Sequence, residues 1–152
     1  MKTLQVSNGD LVLDTGGRLQ FLQGTSKLVQ DLTLWLQEPI STGFSTPNFG
    51  SILPGLIGNE INQATIATIQ AEVQRILSLY QTQQVLSLKT AQNLSQLGYW
   101  NKSEIINSIT TVKAYQNYTA IVVEVTLTTL TNGQLSLQLY IDSNGIQVQN
   151  NG

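Results

Sequence analysis

Two stretches near the C-terminus alternate apolar with mostly polar residues. Ile121, Val123, Val125 and Leu127 alternate with Val122, Glu124, Thr126 and Thr128. Leu135, Leu137, Leu139 and Ile141 alternate with Ser136, Gln138 and Tyr140. A period of two places each apolar set on one face of a strand. Asn132-Gly133 lies between them, a pair that readily takes the backbone angles of a tight hairpin. Ser143-Asn144-Gly145 offers a second turn before Ile146 and Val148. The pattern predicts an antiparallel meander of three or four strands with one apolar face. That face must be covered, and helices are the candidates to cover it, so the expected class is α+β.

The helices lie upstream. Leu28, Leu32, Trp35 and Leu36 recur at helical spacing behind Thr25 or Ser26, either of which suits an N-cap. Pro39 disfavours helical geometry at Glu38 and should end this amphipathic helix. From about Asn62 to Leu97 runs a longer pattern without Pro or Gly, with Ile66, Ile69, Val73, Ile76, Leu77 and Tyr80 on one stripe. The pattern weakens beyond Gln81-Thr-Gln-Gln84, which predicts a bend or break at 82–86 and an end at Gly98.

The segment between these helices, 38–58, holds all three prolines of the chain. Tyr99-Trp100 suits either a packed plug or a partner anchor, and Ser103–Ser108 reads as a short capped helix. At the N-terminus, Leu4–Val6 and Leu11–Leu13 flank the turn Ser7-Asn8-Gly9-Asp10, with a third strand at Arg18–Leu22. The organisation expected is one domain over 1–152: a strand arm at 1–23, a core at 24–141 and a strand or tail at 142–152.

Composition narrows the chemistry. The seven Lys and Arg are scattered and the net charge is −2, so there is no basic stripe for phosphates and no nucleic-acid partner is expected. Cysteine and histidine are both absent. That removes thiol nucleophiles, thiolate zinc sites and imidazole-based triads, and no metal or cofactor is expected. No stretch approaches the ~18 apolar residues of a membrane span, and no apolar leader opens the chain, so a soluble protein made in a cytoplasm is expected. Charged residues are only 11%, with Gln, Asn, Ser and Thr in their place. A neutral polar surface suits a protein that lives inside an assembly.

Two motifs resemble catalytic ones. Leu11-Val12-Leu13-Asp14-Thr15-Gly16-Gly17 is similar to the Asp-Thr-Gly signature of aspartic proteases, and Leu56-Ile57-Gly58 to their later apolar-apolar-Gly element. Those enzymes are almost wholly β and carry Ala or Ser after the Gly, whereas this chain has helical patterns between 25 and 97. A strand ending in an Asp-Gly turn accounts for the motif. Asp31, Glu38, Glu60, Glu72 and Glu104 are the candidates for a glycosidase pair, but none has an aromatic sugar-binding context. The reading is a non-enzyme without catalytic or metal-binding residues; the alternative is a hydrolase, either a lysozyme-like glycosidase or an Asp-Thr-Gly protease.

The run from Lys27 to Leu53, with Asp31, Pro39, Gly43 and then Pro47-Asn48-Phe49-Gly50-Ser51-Ile52-Leu53, resembles the small baseplate-wedge family of contractile phage tails. That family is known as the sheath initiator and is sometimes labelled tail lysozyme. Its order is an amphipathic helix, a turn, a Pro-x-Phe/Tyr-Gly-Ser-x-Leu segment, a long helix and a C-terminal sheet. The likeness spans about 24–141. The family often carries a Glu-Pro-Arg triplet after its long helix to dock on the wedge core. The matching region here, Ser108–Tyr115, lacks it, so that docking mode does not carry over.

The resemblance implies a structural protein of a virion tail baseplate, assembled in the host bacterial cytoplasm. Its partners would be the tail sheath protein, other wedge proteins and hub or tube proteins, with six copies in a ring. It would join the wedge to the sheath and template the first sheath ring by strand addition. The C-terminal strands, about 119–128 and 134–141, are the expected contact, through Ile121, Val123, Val125, Leu127, Leu135, Leu137 and Leu139. The fingerprint loop residues would be Pro39, Gly43, Pro47, Phe49, Gly50, Ser51 and Leu53.

Overall fold

A computed structural model describes residues 2–42, 48–95, 98 and 100–151. Its elements are β1 (Thr3–Leu4), β2 (Val6–Ser7), β3 (Asp10–Leu11), β4 (Phe21–Leu22), α1 (Thr25–Gln37), α2 (Leu53–Leu56), α3 (Gln63–Asn93), a 3-10 turn (Lys102–Glu104), β5 (Ile106–Asn117), β6 (Ala120–Thr129), β7 (Gln134–Asp142) and β8 (Gly145–Asn150). The last four strands form one antiparallel sheet in the order β5-β6-β7-β8. This is the α+β architecture that the alternation required.

Register follows the apolar pattern. Val125 lies opposite Val112 on one side and Leu137 on the other, and Val123 opposite Ala114 and Leu139. One face of the sheet therefore carries Ile121, Val123, Val125, Leu127, Leu135, Leu137, Leu139 and Ile141, all buried with Leu28, Leu32 and Leu36 of α1 and Ile69, Val73, Ile76 and Leu77 of α3. Burial of this apolar surface is the main stabilising term, at roughly 25 cal/mol per Å².

The N-terminal arm is more interlaced than a plain meander. β1 pairs with β4, and β2 with β3. Gln5 joins the two pairings, donating its N–H to the Gln20 carbonyl and accepting at its own carbonyl from Val12. The arm is fastened to α1 by the Gln30 carboxamide, which donates to the Leu4 carbonyl at 2.8 Å and accepts from the Val6 N–H at 2.9 Å.

Several expected boundaries move, each for a tertiary reason. α1 is capped neither by Thr25 nor by Ser26: Gly24 stands at its N-cap with φ 68° and no side-chain cap. The Gly24 N–H instead donates to Oε1 of the buried Glu104, 80 residues away, which puts a carboxylate at the positive end of the helix. The φ of 68° favours glycine here, while the Ser103 Oγ that a Cβ would meet at 2.9 Å is the end of a side chain that can turn aside.

α3 runs unbroken for 31 residues, with no interruption at 82–86. Its weak stripe there is rescued by the buried Gln84, which bonds to the Glu104 carbonyl of the 3-10 turn and to Ile106 N–H at the start of β5. It is capped by Asn62, whose side chain accepts from Thr65 N–H, and it ends at Asn93, ahead of Gly98. Ser103–Ser108 is not a helix either: the 3-10 turn stops at Glu104 and β5 begins at Ile106. The ladder from Ile106↔Thr129 to Asn117↔Ala120 offers more bonds than an isolated helical turn of that length.

Candidate assembly surface

Residues 38–42 and 48–53 clamp the end of α1. Glu38 has extended geometry (φ −77°, ψ 127°), as its position before proline demands. Ser51 N–H donates to the Glu38 carbonyl at 2.8 Å and Ile40 N–H to the Ser51 carbonyl at 3.0 Å, a short parallel bridge between Pro39 and Ser51. The buried Ser51 hydroxyl donates to the Leu36 carbonyl at 2.7 Å, satisfying a helix-end acceptor.

Gly50 has φ 104°, and a Cβ there would stand 2.5 Å from the Glu38 carbonyl oxygen, so this position admits only glycine. Phe49 packs edge-on against Trp35 at 4.9 Å between ring centroids, and Trp35 packs likewise on Tyr80 at 5.8 Å. Leu53 is fully buried. Gly43 and Pro47, like Tyr99, lie outside the described residues; Trp100 is half-buried.

The acidic candidates are dispersed among structural duties. Asp14 Oδ1 accepts from the N–H groups of Gly16 and Arg18, at 2.8 and 2.9 Å, so it staples the turn that joins Leu13 to Leu19. Asp31 accepts from Lys27 and from the Tyr80 hydroxyl. Burial, then the Asp31 charge and hydrogen bond, push the Tyr80 phenol up from its ordinary value. Glu38 accepts from the Thr42 hydroxyl at 2.8 Å, and Glu60 is exposed.

Glu72 is buried on α3, where it accepts from Ile52 N–H at 3.0 Å and from two nitrogens of Arg75 at 2.8 and 2.7 Å. Burial alone would raise its pKa. The hydrogen bonds from Arg75 and Ile52 and the Arg75 charge outweigh it and hold the carboxyl below the ordinary range. Among the described residues no group of three or more acidic side chains is arranged to hold a metal ion.

The seven residues expected at the sheath contact take a different place. Ile121, Val123, Val125, Leu127, Leu135, Leu137 and Leu139 are all at most 3% exposed. They belong to β6 and β7, the two central strands, whose backbones are paired on both sides. Neither their side chains nor their edges are open to another chain. The edges of the sheet are β5 and β8.

Hairpin geometry tells which backbone groups face outward. Asn117↔Ala120 closes one hairpin, so ladder bonds fall on Asn117, Tyr115 and Lys113, and Gln116, Ala114 and Val112 turn their polar groups to the edge. Asp142↔Gly145 closes the other, which turns Ile146 and Val148 outward on β8.

Glutamines on the helices reach these edges. Gln70 Oε1 accepts from Ala114 N–H at 2.9 Å, and Gln81 Nε2 donates to the Asn107 carbonyl at 2.9 Å. Gln37 Nε2 donates to the Ile146 carbonyl at 2.8 Å. The buried Gln84 donates to the Glu104 carbonyl at 2.6 Å and accepts from Ile106 N–H at 2.9 Å. Like Gln30, it contacts a carbonyl and an N–H two residues apart, as a residue of a neighbouring strand would. The amide-rich composition is therefore partly a tertiary device, a set of peptide-like groups that join helices to strand backbones. Residue-by-residue reading missed these glutamines, and only Gln84 left a trace, as a polar residue one turn beyond Tyr80 on the apolar stripe.

Two further features stand out on the surface. Leu11, Leu13, Leu19 and Phe21 of the N-terminal arm are each roughly half exposed, four large apolar side chains open to solvent on one small arm. Tyr118 is 91% exposed at the β5–β6 tip, with φ 54°, a backbone region that a bulky residue rarely enters.

Among the described residues no helix is long and apolar enough to cross a membrane. Comparison with family models, with curated proteins and with solved structures finds no match for this chain.

Proposed function

We propose that this protein is a non-enzymatic component of a contractile-tail baseplate, joining the wedge to the tail sheath and templating the first sheath ring by strand addition. The observation that carries the reading is the order of elements around Pro47-Asn48-Phe49-Gly50-Ser51: an amphipathic helix before it, a 31-residue helix after it and a C-terminal antiparallel sheet. Two physical features support it. The sheet keeps outward-facing backbone groups on an edge strand, the chemistry that strand addition uses. The arm offers the exposed apolar side chains of Leu11, Leu13, Leu19 and Phe21 for a second contact.

Partners in this reading are sheath, wedge and hub or tube proteins, in a ring of six. The contact with sheath moves from the central strands to an edge of the same sheet. Electron cryomicroscopy of tails from cells that make the particle tests the assignment. Density for this chain between the wedge and the first sheath ring is expected. Its absence from purified tails, or turnover of cell-wall polymer or protein that is lost in Asp14→Asn or Glu38→Gln, would overturn it.

A further inference from the structure

We infer that the edge of β5 from Val112 to Gln116 is a slot for one uncharged extended segment of a partner chain, and that the Gln70 carboxamide occupies its main-chain position in the free protein. The inference rests on the assembly reading above and names the edge at which strand addition occurs.

The slot is bounded at both ends and on one side. Towards the start of β5, register shifts at Ile106/Ser108 and Ile109/Thr111 disturb the ladder, and Gln81 caps the Asn107 carbonyl. Towards its end lies the Tyr118 tip. Between them about 13 Å of regular strand remains, at ~3.3 Å per residue. Along it, α3 leaves an open groove of about 360 Å³, floored by Val112 and Ala114 and walled by Ile66, Ala67, Gln70 and Ala71.

The chemistry of the groove selects its occupant. Alternate residues Val112, Ala114 and Gln116 turn N–H and C=O groups to the strand edge, the first two beside the groove, a spacing that an extended backbone matches and a helix does not. Among the described residues no charged side chain lines the groove, so the segment entering it is neutral on its inward side. In two-fold pairing of β5 edges centred on Ala114, each Lys113 stands opposite Tyr115 of the other copy. The two lysines then lie diagonally on one face, a mild like-charge penalty that favours a partner segment without a lysine there.

Gln70 explains how such an edge stays closed until its partner arrives. Its carboxamide has the donor and acceptor pair of a peptide group, and its oxygen already takes the Ala114 N–H at 2.9 Å. An incoming strand therefore exchanges one amide hydrogen bond for another and frees an exposed side chain. A helix laid beside an edge, with a lysine on that strand, is also a known guard against edge-to-edge aggregation.

The test uses the full chain, isotope-labelled for NMR, with the neutral peptide acetyl-Thr-Val-Thr-Val-Thr-amide as probe. Shifts should centre on the Val112, Ala114 and Gln116 amides. Gln70→Ala, an exposed helix position that leaves the core intact, should bind the peptide about fivefold more tightly because one competing hydrogen bond is gone. The same peptide N-methylated at alternate residues should not bind. Shifts confined to Ile146 and Val148, no shifts at all, or equal affinity with and without Gln70 would each overturn the slot. Peptide binding at β5 by a protein missing from purified tails supports the slot and removes the tail assignment. A protein located in tails but silent at β5 removes the slot alone.

Discussion

Replacing Gln84 with methionine removes a buried carboxamide while keeping nearly its volume. In the wild-type protein that group is 6% exposed and makes two hydrogen bonds to the backbone, one to the Glu104 carbonyl and one from Ile106 N–H. Both lie where the chain leaves the 3-10 turn and enters the sheet, so no regular ladder partner replaces them. A buried backbone group that loses its partner costs about 1–3 kcal/mol, so two cost roughly 2–6 kcal/mol, a large share of the stability of an ordinary domain. At ~2–4 °C per kcal/mol for a chain of this size, a loss near the middle of that range lowers Tm by roughly 8–16 °C.

Thermal and urea unfolding followed by circular dichroism give the loss, and hydrogen exchange at Ile106 locates it. Gln81→Met serves as the control, since its contact to the Asn107 carbonyl is exposed and its second, to the Ile106 carbonyl, is long at 3.4 Å, so their loss should cost under ~1 kcal/mol. A Gln84→Met protein within ~1 kcal/mol of wild type, with unchanged exchange at Ile106, would refute the reasoning that helix glutamines secure strand backbones.

Four other outcomes are expected. The folded-state pKa of Glu72 is depressed, so its contribution is fully present above the unfolded value of about 4.3 and is lost as pH falls through the folded value. Urea midpoints should therefore drop on acidification below that point, and Glu72→Gln should flatten this acid limb while costing about 1–3 kcal/mol at pH 7. Gly50→Ala should cost more than ~2 kcal/mol, because its Cβ would stand 2.5 Å from the Glu38 carbonyl, whereas Gly55→Ala, with nothing within 4 Å, should be neutral or slightly stabilising by denaturant titration. Leu127→Ala should lose about 2–5 kcal/mol as a core cavity, and Leu86→Ala, 59% exposed, should stay within ~0.5 kcal/mol. Leu13→Ser with Phe21→Ser should leave Tm within a few degrees, since both side chains are over half exposed, yet in the proposed function weaken incorporation into tails, read by quantitative mass spectrometry of purified particles.

Local pattern alone determined the elements that are long and periodic. The period-two runs around Val123 and Leu137 and the helical stripe from Ile66 to Tyr80 state their own geometry, because burial of one face is dictated by spacing along the chain. Pro39 likewise announced the end of α1 through a steric rule that involves only its neighbour. Those features were enough for the α+β class. Tertiary structure decided the rest. Gly24 opens α1 because a carboxylate 80 residues away serves its N–H. Ile106 begins a strand because Gln84 and Thr129 meet it there. The same cause reassigns the candidate contact surface. Alternation identifies which side chains point to the core, but strand order decides which backbones are left at an edge, and that order is set by long-range pairing. Hence the apolar residues of β6 and β7 were legible as a face, while the open edge of β5 and its glutamine became visible only once the four strands and α3 were assembled.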